Sequence, residues 1–154
     1  MADTSLSERK IGLLVWQLSN HWQSKLRKIL KDYKLTLNEY LVLESISDLS
    51  ENQEELSQNR ISIFSGIDIS VASVTFKLLE NKKLIIRRTK KDNRKKIVEM
   101  LASGINLYNK VNPLVLEEES YIFSKLHNEI HNFKNSLRLL LGKSLRIKAK
   151  KFYE

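Results

Sequence analysis

GIDISVASVTFKLLENKKLIIRRTKKDNR, residues 66–94, pairs a short helical stretch with a strongly basic hairpin. Asp68 can cap a helix over residues 69–82, because its carboxylate suits the unpaired amides of a first turn. Ala72, Phe76 and Leu79 recur at helical spacing and predict a core-facing stripe. The runs 84–88 (LIIRR) and 96–100 (KIVEM) are β-compatible. Between them lies 89–95, centred on the turn pair Asp92-Asn93. A short helix beside a basic hairpin is suited to entering a DNA groove and gripping the adjacent backbone.

Upstream, Gly66 lies just past a predicted helix over 58–65, where a left-handed residue ends a helix at little cost. Ser57 can cap that helix, with Ile61 and Phe64 predicted inward. Helix, tight glycine turn, helix is the pattern of a helix-turn-helix, and the hairpin that follows makes it winged. Thr36-Leu37-Asn38-Glu39 has the spacing of a capping box, with Glu39 reaching back to Thr36. It opens a helix carrying Tyr40, Leu43 and Ile46, before a polar loop over 49–56. Residues 6–32 form a long helix with Ile11, Leu14, Val15, Leu18, Trp22, Leu26, Ile29 and Leu30 along one stripe. Leu13 and Trp16 widen that stripe, and pack either against a second subunit or beneath the chain's own C-terminal helices.

Downstream, residues 102–141 return to helix, with Ile105, Tyr108, Val111, Val115, Ile122 and Leu126 predicted inward. Pro113 should bend or break that helix. A last helix carries Ile130, Phe133, Leu137, Leu140 and Leu141, and Gly142 can end it. The tail after it is basic.

The 154 residues suit one domain with a sizeable core, and only four Gly and one Pro favour long helices over a many-stranded sheet. No long uncharged apolar run is present, and the first ten residues lack the apolar segment of a secretory signal. A cytoplasmic protein is expected. Without cysteine, disulfides, zinc–thiolate sites and thiol redox sensing are excluded. Net charge is +9, and residues 82–96 hold nine basic side chains against one acid, Asp92. So focused a patch predicts a polyanion partner, unless it is a solvated basic turn.

Residues 36–104 resemble the winged helix-turn-helix core of the MarR family of bacterial transcription regulators. The resemblance rests on Leu56-Ser57 opening the first helix of the motif, Gly66-Ile67-Asp68 at the turn and Leu79-Glu80 closing the second helix. It continues through Asp92-Asn93-Arg94 in the wing, Gly104 after it, and Pro113. The sequence departs from the family pattern at Val71 and Val74, which often hold Thr and Arg there, at Lys83 in place of Gly, and at Leu101 in place of Thr. The expected fold is mainly α with a small β-hairpin wing, one domain over 1–154. Residues 36–101 form the DNA-binding lobe, and 6–32 and 105–141 the long helices that would interleave in a homodimer.

The resemblance implies a DNA-binding regulator, a repressor on a palindromic operator, released by a small phenolic or aromatic effector. It places Ser70, Ser73, Val74 and Lys77 in the major groove and Arg94 at the minor groove or nearby backbone. Val74 can meet a thymine methyl, unless it packs within the domain. Ser57, Arg88, Lys90, Lys91 and Lys95 would add phosphate contacts, and Asp92 would hold the wing. Trp16, His21, Trp22 and Tyr40 lie near where an effector pocket would sit, although core packing explains each of them. Leu13, Trp16, Ile130, Phe133, Leu137 and Leu140 are the expected dimer contacts.

No cofactor is expected. His127 and His131 are four apart with no third ligand evident, so two ordinary interfacial histidines are favoured over a metal site. The sequence has no phosphate-cradling glycine loop, zincin motif or nucleophile elbow, which predicts a protein that is not an enzyme. Two rival readings remain: a nucleic-acid-binding architectural module without sequence selectivity, and a winged-helix adaptor for protein partners.

Overall fold

A computed structural model of the chain describes residues 8–52, 55–90 and 95–143. In order these form α1 (Ile11–Lys31), α2 (Leu37–Ser50), α3 (Gln58–Ser65), α4 (Ile69–Asn81), β1 (Ile85–Thr89), β2 (Lys96–Met100) and α5 (Ala102–Phe123). A 3-10 segment, Ser124–Glu129, and α6 (Ile130–Leu140) complete them. The chain divides into two compact units, Met1–Glu118 and Glu119–Glu154.

The core of the first unit is apolar and continuous. Leu26 and Leu30 of α1, Tyr40, Val42, Leu43 and Ile46 of α2, Ile61 of α3, and Ala72, Phe76 and Leu79 of α4 are buried together. Val98 of β2 and Tyr108, Val111 and Val115 of α5 join them. Tyr40 and Tyr108 stack with ring centroids 6.0 Å apart. The Tyr40 hydroxyl accepts from Asn112 Nδ2 at 3.0 Å and donates to Glu44 at 3.3 Å. Burial raises the phenol's pKa above its ordinary value, with the Asn112 bond acting in the opposite direction. Among the described residues no buried side-chain polar atom lacks a partner.

Turns 32–34 and 82–83 each pass through a left-handed lysine, Lys34 at φ 54° and Lys83 at φ 57°. Each turn is closed by a backbone bond spanning five residues, Leu35 N–H to Leu30 O at 3.1 Å and Leu84 N–H to Leu79 O at 3.0 Å. This is the Schellman geometry in which glycine is favoured, and it explains why glycine suits the position that Lys83 occupies here. Gly142, at φ 69°, plays that part after α6, with Lys143 N–H on Arg138 O at 2.8 Å.

Five expectations from sequence need correction. Phe64 and Ile105 are exposed, not inward: α3 buries only Ile61 and Ser62, and α5 turns Gly104 and Tyr108 to the core. Thr36 does cap α2, accepting from Glu39 N–H at 3.1 Å. The Glu39 carboxylate, however, does not reach back, because it is buried and bound by Lys82. Pro113 does not break α5, which is continuous from Ala102 to Phe123. Val111 and Val115, fully buried on either side of it, hold the helix against the core despite the missing amide. The break falls at Ser124–Glu129, where His127 adopts φ 47° and ψ −119°. His127 and His131 therefore do not share one helix, and His131 Nε2 lies 3.2 Å from Asn135 Nδ2. In this second unit, Phe123 and Phe133 meet at 6.2 Å.

Candidate nucleic-acid interface

The axes of α3 and α4 are bent by 115° relative to one another, within the range of helix-turn-helix pairs. Local chemistry makes this bend. Gly66 takes φ 74°, the left-handed conformation that only glycine adopts without strain. The Ser62 hydroxyl donates to Ile67 O at 2.7 Å across the turn, and Ile67 N–H donates to the Ser65 hydroxyl at 3.2 Å. Asp68 then caps α4, accepting from Ser70 N–H at 2.9 Å and from the Ser70 hydroxyl at 2.5 Å. Those bonds, the hydroxyl's first, hold the Asp68 carboxyl below its ordinary pKa.

α4 buries Ala72, Thr75, Phe76 and Leu79 and exposes everything between them. Val74 is 61% exposed, so it does not pack within the domain. Ser70, Ser73 and Lys77 are also exposed, although the Ser70 hydroxyl is already engaged by Asp68. Two charged clamps hold α4. At its C-terminal end Lys82 Nζ donates to Lys34 O and to Glu39 Oε2, both at 2.6 Å, tying it to the link between α1 and α2. From the wing, Arg87 Nε donates to Glu80 Oε1 at 2.8 Å, and Arg87 Nη1 donates to Gln58 Oε1 at 3.0 Å. Arg87 thus joins β1, α4 and α3, and pulls the Glu80 carboxyl below its ordinary pKa.

The wing is a β1–β2 antiparallel pair in which Ile85 faces Met100 and Thr89 faces Lys96. Its other edge is held by a Ser57–Ile97 bridge and by Val98 N–H on Leu56 O at 2.8 Å. Ser57 is therefore half-buried at this seam, with its hydroxyl capping α3 by accepting from Arg60 N–H at 3.2 Å. Of the basic side chains in 82–96, Lys82 and Arg87 serve the fold. Arg88 lies 3.7 Å from Glu99 with both side chains solvated, and Lys90 meets Glu55. Exposed pairs of this kind are weak and leave both cations available to a polyanion. Lys95 and Lys96 line a cleft of about 560 Å³ with Ser57, Asn59 and Arg60 at the first turn of α3. The sequence reading missed Arg60, and counted Lys96 in the basic run without naming it as a contact. The signal lay in Ser57: the residue that caps α3 also pairs with β2, which brings first-turn and wing cations together. Lys91, Asp92 and Arg94 lie outside the described residues.

The four residues expected near an effector pocket are placed differently from one another. Tyr40 is a core residue and Trp22 is packed against the core, whereas Trp16 and His21 are exposed. A separate cleft of about 610 Å³ opens between α2, β2 and α5, with Leu56, Met100, Ile105 and Tyr108 among its lining. Of the expected dimer contacts, Leu13, Trp16, Leu137 and Leu140 are exposed, and Ile130 and Phe133 half-buried.

A helix pair at this angle, followed by a paired basic hairpin and flanked by long helices, defines a transcriptional regulator of the winged helix-turn-helix class. Residues 24–111 match the family described as transcriptional regulator SarA/Rot, and the chain belongs to that family. It is similar to YdcH of Bacillus subtilis strain 168, an uncharacterized HTH-type transcriptional regulator, with 27% identity over 131 residues covering 84% of this chain and 88% of that one. Among solved structures, S. aureus MepR in complex with DNA is similar at 24% identity and TM-score 0.75, over 86% of this chain and 95% of that one. A MarR-family regulator from Rhodococcus sp. RHA1 matches at 18% identity and TM-score 0.76, over 95% and 100%. Identities this low carry the fold, and the fold is the MarR-type winged helix expected from sequence. Among the described residues no single helix is long and apolar enough to cross a membrane.

Proposed function

We propose that this chain binds double-stranded DNA as a two-fold homodimer and represses from an inverted-repeat operator. In this reading α4 lies in the major groove and the wing follows the adjacent backbone. The carrying observation is the outer face of α4: it is uncovered, capped at its N-terminal end by Asp68, clamped at its C-terminal end by Lys82 and Arg87, and followed by a wing that exposes Arg88, Lys90, Lys95 and Lys96. Arg60 would add a phosphate contact, as would Lys91 and Arg94, while Ser73, Val74 and Lys77 would face the bases.

Dimerisation is supported by α1, whose first half exposes Ile11, Leu13, Leu14, Val15, Trp16 and Leu18. A run of large apolar side chains on one helix end exceeds scattered surface hydrophobics and suits coverage by a second copy. Two such lobes would reach half-sites about 34–36 Å apart. A small aromatic effector would find room in the 610 Å³ cleft beside Tyr108, where occupancy would bear on β2. Selection of bound duplexes from a random pool tests the whole reading, with a palindrome of one-turn spacing expected. Replacing Lys95 and Lys96 by Ala should lower the salt slope of log affinity by about 2, near 0.9 per lost phosphate contact. A selected pool without repeat symmetry, or a monomeric mass at micromolar concentration, would refute the dimeric operator reading.

A further inference from the structure

The exposed side of α4 carries two parallel rows. At 3.6 residues per turn, Val71, Val74 and Leu78 share one strip, and Ser70, Ser73 and Lys77 share the next. The first row is apolar and solvent-facing, at 42%, 61% and 43% exposure. The second is thin in donors, because the Ser70 hydroxyl gives its proton to Asp68 and can only accept from a base. That leaves Ser73 and Lys77 as the row's donors, whereas specific base contacts ordinarily come from Arg, Asn or Gln.

We infer that the apolar row reads the 5-methyl group of thymine, with Val74 as the central contact and Val71 beside it. This rests on the DNA-binding reading above and names what that surface selects. Thymine's methyl is the apolar feature that base edges present in the major groove. Valine in a helix holds essentially one χ1 rotamer, so its methyl groups are presented without ordering cost on contact. Charge favours a nucleic-acid occupant over an apolar protein surface, because Lys77 borders the row on the same helix and the wing that follows α4 exposes Arg88, Lys95 and Lys96. Selectivity then separates thymine from cytosine chiefly through the methyl, with Lys77 free to meet phosphate or an acceptor edge.

The test uses the full chain and a duplex it selects from a random pool. Each thymine is replaced singly by uracil, which removes the methyl and leaves the pairing intact. One buried methyl is worth about 0.8 kcal/mol, about 4-fold in affinity. At one or two positions per half-site, uracil should weaken binding by roughly that factor for the unaltered protein. In Val74→Ser or Val71→Ser the thymine-to-uracil ratio at the matching position should fall towards one. Both sites are exposed, so folding is expected to be retained. Equal affinity for thymine and uracil at every position, with duplex binding intact, overturns the inference and leaves the DNA-binding reading standing. A ratio unchanged in both variants also overturns it. Failure of the unaltered protein to bind any duplex at low salt overturns both.

Discussion

Lys82→Met removes an ammonium that holds α4 to the link between α1 and α2, and keeps most of the side chain's length. Two hydrogen bonds disappear, to Lys34 O and to Glu39 Oε2, each 2.6 Å long. The decisive quantity is what Glu39 is left facing. Its side chain is 2% exposed, against 38% for Lys82, so the carboxylate stays out of water while the ammonium's side is partly open. Removing one partner of a buried pair costs about 3–5 kcal/mol, and the solvated lysine side sets the lower end of that range. A loss of about 3 kcal/mol lowers the thermal midpoint of a chain this size by about 6–12 °C.

Glu39→Gln alone should cost about 1 kcal/mol, since its amide oxygen still accepts from Lys82. The double variant should be more stable than Lys82→Met, because no unpaired charge remains buried. Urea unfolding followed by circular dichroism, at one fixed protein concentration, measures all four corners of the cycle. A Lys82→Met loss below about 1 kcal/mol, or no recovery on adding Glu39→Gln, would show that the clamp does not hold α4.

Gly104→Ala sets helix propensity against space. Gly104 lies in the first turn of α5, where alanine gains at most about 1 kcal/mol, but its Cβ would lie 2.2 Å from Leu84 O and 2.8 Å from Met100 Cγ. The contact with backbone cannot be relieved by a rotamer, so a net loss of about 1–2 kcal/mol is expected in denaturant unfolding. A stabilised variant would contradict that. Lys83→Gly should act in the opposite sense, gaining up to about 1 kcal/mol by relieving a non-glycine φ of 57°. An unchanged or lowered thermal midpoint would count against strain at that turn. Glu80→Gln tests the Arg87 clamp by pH. The folded-state pKa of Glu80 is depressed, so its contribution is present above the ordinary value of 4.5 and fades as pH falls through the depressed one. The stability gap between the two proteins should therefore be larger at pH 7 than at pH 3. A gap that does not change with pH would place the effect elsewhere.

The parts legible in the sequence depend on neighbours within one or two turns. Thr36, Ser57 and Asp68 cap the helices where their spacing to the next amides predicts, and Gly66 makes the turn because glycine takes the left-handed backbone there without the strain other residues would carry. Ala72, Phe76 and Leu79 fall on one face because the helical period puts them there. Other features depend on partners distant in the chain. The basic run of 82–96 does not separate into structural and solvated charges until Lys82 meets Glu39, 43 residues away, and Arg87 meets Gln58, 29 residues away. The same contact with Lys82 took Glu39 out of its capping box. Burial of Val111 and Val115 kept α5 intact through Pro113, and the seam at Ser57 and Ile97 brought Arg60 beside Lys96. Local spacing determines where elements start and stop, because those bonds close within a few residues. Which charges remain for a partner is a property of packing, because an ion pair across the fold neutralises a side chain that looks identical to its solvated neighbours in the sequence.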